Sequence, residues 1–153
     1  MGSGLLLKLR MGKIKELHKR LKATNWDEVY AESVVENEKH ATELNRQQLF
    51  QGDRADGSEM PPYSFVSVNF FNKPNGPIRL YDTGDFYRGF IFASKTGKAQ
   101  FPLFITSTDS KTNELQSRYG SQIFGLTSEN MAGFAKVFVL PSLKKRIEAI
   151  LHV

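Results

Sequence analysis

Residues 51–64 (QGDRADGSEMPPYS) constrain the fold of this 153-residue chain more than any other stretch. Two Gly and two Pro among Asp and Ser residues interrupt both helix and strand hydrogen bonding, so a loop is predicted there. The sequence before the loop has helical periodicity, and much of the sequence after it is rich in Val, Ile and Phe. The chain is therefore predicted to be α+β, with long N-terminal helices ahead of a small antiparallel sheet.

Two helices are predicted before the loop. Ile14, Leu17 and Leu21 form one apolar stripe on a short basic helix over residues 13–21. Thr24 is a candidate N-cap for a second, long helix over residues 26–50. That helix has an acidic face opposite its apolar positions (Glu28, Glu32, Glu36, Glu38 and Glu43). Both helices are amphipathic and need a surface on which to pack.

Strand signals follow the loop. Residues 64–71 (SFVSVNFF) alternate enough to predict a strand. Residues 90–108 predict a β-hairpin that turns at residues 95–98, and Pro102 makes its second strand an edge strand or an interrupted one.

Helices are predicted at the C-terminal end. Thr112 is a candidate N-cap for a short helix that stops at Gly120. A terminal helix begins at a cap formed by Thr127 or Ser128. Pro141 is expected to kink this helix or to start a second one, because its ring removes one backbone hydrogen bond.

Composition indicates one domain, residues 23–153, preceded by a basic N-terminal arm, residues 1–22. The absence of cysteine excludes disulfides and Cys-based metal sites. The longest N-terminal apolar run has three residues, which is too short for a signal sequence or a membrane span. A soluble, unprocessed protein with no membrane association is the expectation.

Charge is distributed in bands along the chain. The arm carries seven Lys or Arg residues against one Glu, residues 23–60 have a net charge of −6, and residues 61–153 have a net charge of +5. Opposite bands on neighbouring copies attract, so this pattern suits head-to-tail packing of identical subunits at least as well as non-specific nucleic-acid binding through the basic arm. A set of solvated charged faces without a partner explains the bands equally well.

Asp82-Thr83-Gly84 is the tripeptide that presents the catalytic carboxylate in aspartic proteases, and such a site would require a homodimer. The next residue, Asp85, adds a second charge that would disturb a shared-proton pair of carboxylates. A structural interpretation explains the same residues: Asp82 or Thr83 caps a short helix, and Phe86 and Phe90 dock it on the sheet. Gly84 and Gly89 would permit close backbone approach.

No cofactor or metal site is predicted. The three histidines have no ligand spacing (His18, His40 and His152). Aromatic side chains near Lys73 and Arg79 could stack on single-stranded bases, but residues at such spacing are more often core (Tyr63, Phe65, Phe70 and Phe71). We therefore expect no catalytic residues and a protein that is not an enzyme.

Four segments carry a resemblance to a known family: LFQGDRADGSEMPPYS, IRLYDTGDFYRGF, LQSRYGSQIFGLTSENM and FVLPSLKKRIEAIL. In this order they resemble small virion-morphogenesis proteins of tailed bacteriophages, particularly those of crAss-like and other Bacteroides-infecting phages. More distantly, they are similar to the tail-completion and neck family of Mu-like and lambdoid phages. The residues that match the motifs include Leu80, Asp82, Thr83, Gly84, Tyr119, Gly120 and Gly125. The resemblance spans residues 49–151 and excludes the basic arm and the apolar segment SFVSVNFFN.

This resemblance implies a structural role without catalysis. Family members form homo-oligomeric rings at the head–tail connector, or complete the tail, and bridge portal or adaptor proteins to tail proteins. It implies a location in the virion neck or tail, and in the host cytoplasm during assembly. Basic segments that face the lumen of such a ring would contact passing DNA without sequence specificity.

Overall fold

The computed structural model describes residues 2–92 and 104–152 and shows a mostly helical α+β fold, which confirms the predicted fold class. Two three-residue strands, β1 (Phe90–Phe92) and β2 (Ile105–Ser107), pair antiparallel with Phe90 opposite Ser107. The helices are α1 (Gly2–Ala23), α2 (Trp26–Val35), α3 (Glu38–Gln51), α4 (Phe65–Phe70), α5 (Asp85–Arg88), α6 (Thr112–Tyr119), α7 (Ser128–Phe134) and α8 (Leu140–Leu151). A 3₁₀ turn (Ser121–Ile123) and a π-helical segment (Ala135–Val139) complete the elements.

The basic arm is helical along almost all of its length. α1 is 22 residues long, whereas the sequence predicted only residues 13–21. The cap of the next helix was also predicted at the wrong residue. Asn25, not Thr24, accepts the bond from the Glu28 backbone N–H at 3.4 Å. The Thr24 hydroxyl instead donates to the carbonyl of Arg20 at 2.8 Å, and so completes the end of α1.

The long helix predicted over residues 26–50 is wrong, because the chain turns at residues 36 and 37. The Asn37 side-chain amide donates to the carbonyl of Ser33 at 2.8 Å and to that of Phe138 at 3.3 Å. This amide satisfies a carbonyl at the end of α2 in place of a further turn of helix. Two helices, α2 and α3, result from one periodic stretch.

The strand predicted over residues 64–71 is also wrong, since the segment forms helix α4. The Ser64 hydroxyl accepts a hydrogen bond from the Ser67 backbone N–H at 3.1 Å, which is an N-cap interaction. Because apolar side chains would lie on both faces of a strand over these residues, the hydrophobic pattern did not distinguish a strand from a helix. The helix satisfies its own backbone groups where no strand lies alongside it among the described residues.

The predicted hairpin is confirmed in its pairing, while its turn at residues 95–98 and Pro102 lie outside the described residues. Phe86 and Phe90 are both buried and pack edge to face with ring centroids 5.1 Å apart, so the predicted docking of the short helix on the sheet is confirmed. The expectation that both side chains belong to that helix is wrong, because α5 ends at Arg88 and Phe90 begins β1. Close approach at Gly89 is confirmed as well. A Cβ at this position would collide with Ser107 Oγ and lie 3.0 Å from two backbone nitrogens.

The C-terminal predictions are mostly confirmed. Gly120 ends α6 at a φ of +88°, and the Thr127 hydroxyl caps α7 by accepting from the Asn130 backbone N–H at 3.3 Å. Pro141 lies in the first turn of α8, directly after the π-helical segment. The cap predicted at Thr112 is wrong, because this residue is inside α6 and its hydroxyl donates to the Ser107 carbonyl at 3.1 Å.

Two clusters of buried side chains form the core. One joins α3 to the sheet, α5 and the 3₁₀ turn (Leu49, Met60, Phe86, Tyr87, Phe90, Ile105 and Ile123). The other joins α2 and α3 to the C-terminal helices (Val34, Ala41, Leu126, Phe134 and Val139). The two clusters share Phe92 as a half-buried neighbour.

Polar contacts also join α2 to α8. The Glu36 carboxylate accepts hydrogen bonds from the Ser142 hydroxyl and from Arg146, the latter at 3.3 Å, and these contacts lower the pKa of Glu36. Arg146 also pairs with Glu32. The C-terminal helix is therefore fixed to α2 by charge-assisted hydrogen bonds as well as by packing.

Candidate functional site

The motif residues of the LYDTG segment border a cleft of about 370 Å³. Leu80, Asp82, Thr83 and Gly84 line the cleft together with Tyr119 from α6. The cleft also holds two further carboxylates, Asp85 and Asp109, and two amines, Lys73 and Lys111. Gly120 and Gly125 do not line it, so the structure brings together five of the seven predicted motif residues.

Two positive φ angles shape the wall of the cleft. Leu80 has a φ of +51° and packs its half-buried side chain against the core, and Gly84 has a φ of +83°. A residue such as Leu rarely adopts this backbone region, so the surrounding packing holds it there. The Tyr87 hydroxyl donates to the Arg79 carbonyl just before this turn, and burial raises the pKa of Tyr87, so the phenol stays a neutral donor.

The predicted side-chain cap of α5 is wrong in position. Gly84 occupies the N-cap and offers no side chain, and Asp82 is 79% exposed and pairs with Lys73 at 3.7 Å. The Thr83 hydroxyl contacts the Asp85 carboxylate and accepts from the Asp85 backbone N–H at 3.5 Å, which is the limit of a hydrogen bond. Because Gly84 turns the chain with a positive φ, the carboxylate of Asp82 is directed away from the helix start.

The carboxylates of Asp85 and Asp109 in the cleft are hydrogen bonded to residues near them in sequence. Thr83 and then Arg88 hydrogen bond to Asp85 and lower its pKa. Asp109 accepts from the Lys111 backbone N–H at 2.8 Å. These local hydrogen bonds of Asp85 and Asp109 stabilise the backbone turns in which the two residues lie.

We expect Asp82→Asn to leave the thermal unfolding temperature unchanged, because an exposed ion pair contributes little. No proteolytic activity should be lost. Calorimetry and a pepstatin-sensitive cleavage assay measure both. A cleavage activity present in the unmodified chain and abolished by this variant would establish the protease alternative instead.

The second motif segment, residues 123–127, is held by two polar side chains of α3. Asn45 is fully buried; its amide donates to the Ile123 carbonyl at 3.2 Å, and its oxygen accepts from the Gly125 backbone N–H at 3.0 Å. Gln48 donates to the Gly125 carbonyl at 3.1 Å and accepts from the Thr127 backbone N–H at 2.8 Å. Gly125 has a φ of +109°, so it is required for this geometry.

Sequence reasoning missed the roles of Asn45 and Gln48. Both lie among apolar residues of the buried stripe of α3, which includes Ala41 and Leu49. An amide side chain within an apolar stripe is a signal that some backbone segment needs hydrogen-bonding partners there. The sequence could have indicated this requirement, but not which segment the amides bind.

Two surfaces of the described chain expose large apolar side chains. None of the residues of α1 is buried, and its exposed members include Leu5, Leu6, Leu7, Leu9, Met11 and Ile14. The second surface is α4 with the residue that follows it (Phe65, Val66, Phe70 and Phe71), where exposure is between 52% and 76%. The sequence placed these aromatic residues in the core, which the structure contradicts. Contiguous apolar exposure of this kind marks interaction surfaces.

Within residues 2–92 and 104–152, no group of His, Asp and Glu side chains is arranged to hold a metal ion. His40 stacks on Phe138 with ring centroids 4.0 Å apart, which gives it a packing role. No helix in these ranges is long and apolar enough to cross a membrane.

The chain matches no protein-family model, no curated protein and no solved structure.

Proposed function

We propose that the chain is a structural virion protein of a tailed bacteriophage. In this proposal, identical copies form a ring at the head–tail connector, or complete the tail, and join portal or adaptor proteins to tail proteins. The resemblance of the four motif segments suggests the setting. The observation that carries the proposal is the exposed apolar surface of α1, because contiguous exposed apolar side chains mark an interaction surface.

α1 cannot be explained as part of an isolated protomer. At about 1.5 Å per residue the 22-residue helix is roughly 33 Å long. It is fixed to the body near its C-terminal end, where Arg20 donates to the His152 carbonyl at 3.2 Å and Leu17 and Leu21 are half-buried. Its first 15 residues bury no side chain, and single helices gain most of their stability from packing of an apolar face. Assembly supplies that packing.

The charge of α1 supports a contact with unlike surfaces. Its seven basic side chains would repel a second α1 placed alongside it. A contact between two different patches of the same chain repeats from copy to copy and closes into a ring when the rotation permits. The basic side chains left uncovered in such a ring would contact DNA through its phosphates.

Localisation in phage particles tests the proposed function. Antibody-gold labelling of virions should place the chain at the neck or tail end, and particles made without the gene should accumulate as heads and tails that do not join. The unmodified phage, grown and labelled in parallel, is the control. Complete infectious particles formed without the chain, or particles that carry no copy of it, would overturn the proposal.

A further inference from the structure

Residues 63–76 form a projection that we call the finger. Its base is closed by two backbone hydrogen bonds, Tyr63 N–H to the Gly76 carbonyl at 3.0 Å and Ile78 N–H to the Pro61 carbonyl at 2.9 Å. Pro62 and Pro77 face each other across the base in an antiparallel bridge. The short helix α4 lies between these closing points, with its N-cap on Ser64. The finger is therefore held in a defined conformation.

The end of the finger is apolar and almost uncharged. Phe65, Phe70 and Phe71 are each exposed at 69% or more. Lys73 is the one charged residue of the finger, and it pairs with Asp82 at 3.7 Å. Nucleic-acid binding needs free cations for the phosphates, so the chemistry of the finger fits an apolar protein surface instead.

The chain offers such a surface on α1. A shallow, mainly apolar groove of about 410 Å³ runs along one face of this helix, lined by Leu5, Lys8, Leu9, Gly12, Lys13 and Glu16. No atom lies within 4 Å of the position that a Cβ would take at Gly12, so the helix is open there. An aromatic ring can enter this gap and lie on Leu5 and Leu9.

Charge favours contact of the finger with α1 over contact of one α1 helix with another. Two α1 helices repel each other, whereas the finger adds no positive charge beyond Lys73 and has the exposed carboxylate of Asp82 beside its base. Lys8 and Lys13 border the α1 groove and can pair with that carboxylate. We propose that the finger of one copy docks in the Gly12 groove of α1 on the next copy. This inference rests on the proposed function only in taking the partner to be a second copy of the chain.

Disulfide cross-linking tests this contact directly, because the chain has no cysteine of its own. Phe70→Cys and Gly12→Cys are placed in the same chain, and both sites are exposed to solvent. Mild oxidation should give a ladder of cross-linked multimers on a non-reducing gel, while either single variant should give almost none. Val137→Cys, also exposed and located on the π-helical segment, replaces Phe70→Cys in a matched control that should give no ladder with Gly12→Cys.

Three further variants test the contact without relying on cysteine geometry. Phe65→Ser with Phe70→Ser should reduce the oligomer seen by light scattering by at least tenfold in association constant, without loss of the helical circular dichroism signal. Asp82→Lys should weaken assembly, and combining it with Lys8→Glu and Lys13→Glu should restore it. Dimers from Phe70→Cys alone would show finger-to-finger pairing, and dimers from Gly12→Cys alone would show pairing of α1 helices; either result overturns the inference.

The outcomes separate this inference from the proposed function. Particles that carry the chain at the neck while the double-cysteine variant gives no ladder would contradict the docking contact alone. A ladder from a chain that is absent from particles would contradict the virion role alone. Binding of the unmodified finger to anionic vesicles, lost in the serine variant, with no self-association would show a membrane surface as the partner and overturn the contact between copies.

Discussion

Replacing Asn45 with Ala is expected to lower the free energy of unfolding by about 2–4 kcal/mol, because a buried and a half-buried backbone group lose their partners. The groups are the carbonyl of Ile123 and the N–H of Gly125, which bond to the Asn45 side chain at 3.2 Å and 3.0 Å. For a chain of this length, such a loss lowers the Tm by on the order of 10 °C. Chemical denaturation and calorimetry measure the two quantities.

Gln47→Ala is the matched control for this change. Gln47 is an exposed amide on the same helix, and its side chain donates a hydrogen bond to the Glu43 side chain at 3.1 Å. We expect this control to change the free energy of unfolding by less than about 0.5 kcal/mol. Equal stabilities of the Asn45 and Gln47 variants would show that water or rearranged backbone satisfies the segment in place of Asn45.

Gly52→Ala should destabilise the chain by about 2–6 kcal/mol, the sum of backbone strain and overpacking. Gly52 ends α3 at a φ of +102°, and a Cβ there would lie 2.5 Å from Cγ of Pro77. Pro77 is part of the base that closes the finger. The variant should therefore impair self-association more than its lost stability alone explains, which light scattering below the melting transition measures.

The Gly57→Ala variant separates the effect of backbone strain from that of overpacking. Gly57 also has a positive φ, +80°, but no atom lies within 4 Å of its Cβ position. This control should show only the strain of the left-handed backbone, about 1–2 kcal/mol. A Gly52→Ala variant no less stable than the Gly57→Ala control would mean that the Pro77 ring moves aside freely, and would remove the base of the finger as a rigid element.

Local signals in the sequence were reliable where one residue type alone decides the backbone. The breaks at residues 51–64, the stop at Gly120 and the cap at Thr127 follow from glycine conformation and hydroxyl hydrogen bonding within one turn. The contact between Phe86 and Phe90 was also expected, although Phe90 lies in β1 rather than on the helix that carries Phe86. Such effects act over a few residues and need no knowledge of the rest of the fold.

The candidate site could be predicted only in part. The sequence singled out the LYDTG residues, and the structure places them around one cleft, but Asp82 is exposed and paired with Lys73 rather than capping α5. A partner nine residues away in sequence cannot be read from a tripeptide. The two buried amides of α3 were missed for the same reason, since their partners lie 77 to 82 residues further along the chain.

By itself, the sequence determined the α+β class, the antiparallel hairpin pairing, the central loop and the charge bands, because these depend on composition, turn residues and local periodicity. Only the tertiary structure decided that residues 26–50 form two helices and that residues 65–70 form a helix that exposes its Phe side chains. At the end of α2, the Asn37 amide donates to the Ser33 carbonyl and also to that of Phe138, a residue about one hundred positions away. Whether an apolar segment forms a strand or a helix, and whether it is buried, likewise depends on the neighbouring surfaces that cover it. Those surfaces are a property of the folded chain rather than of the segment.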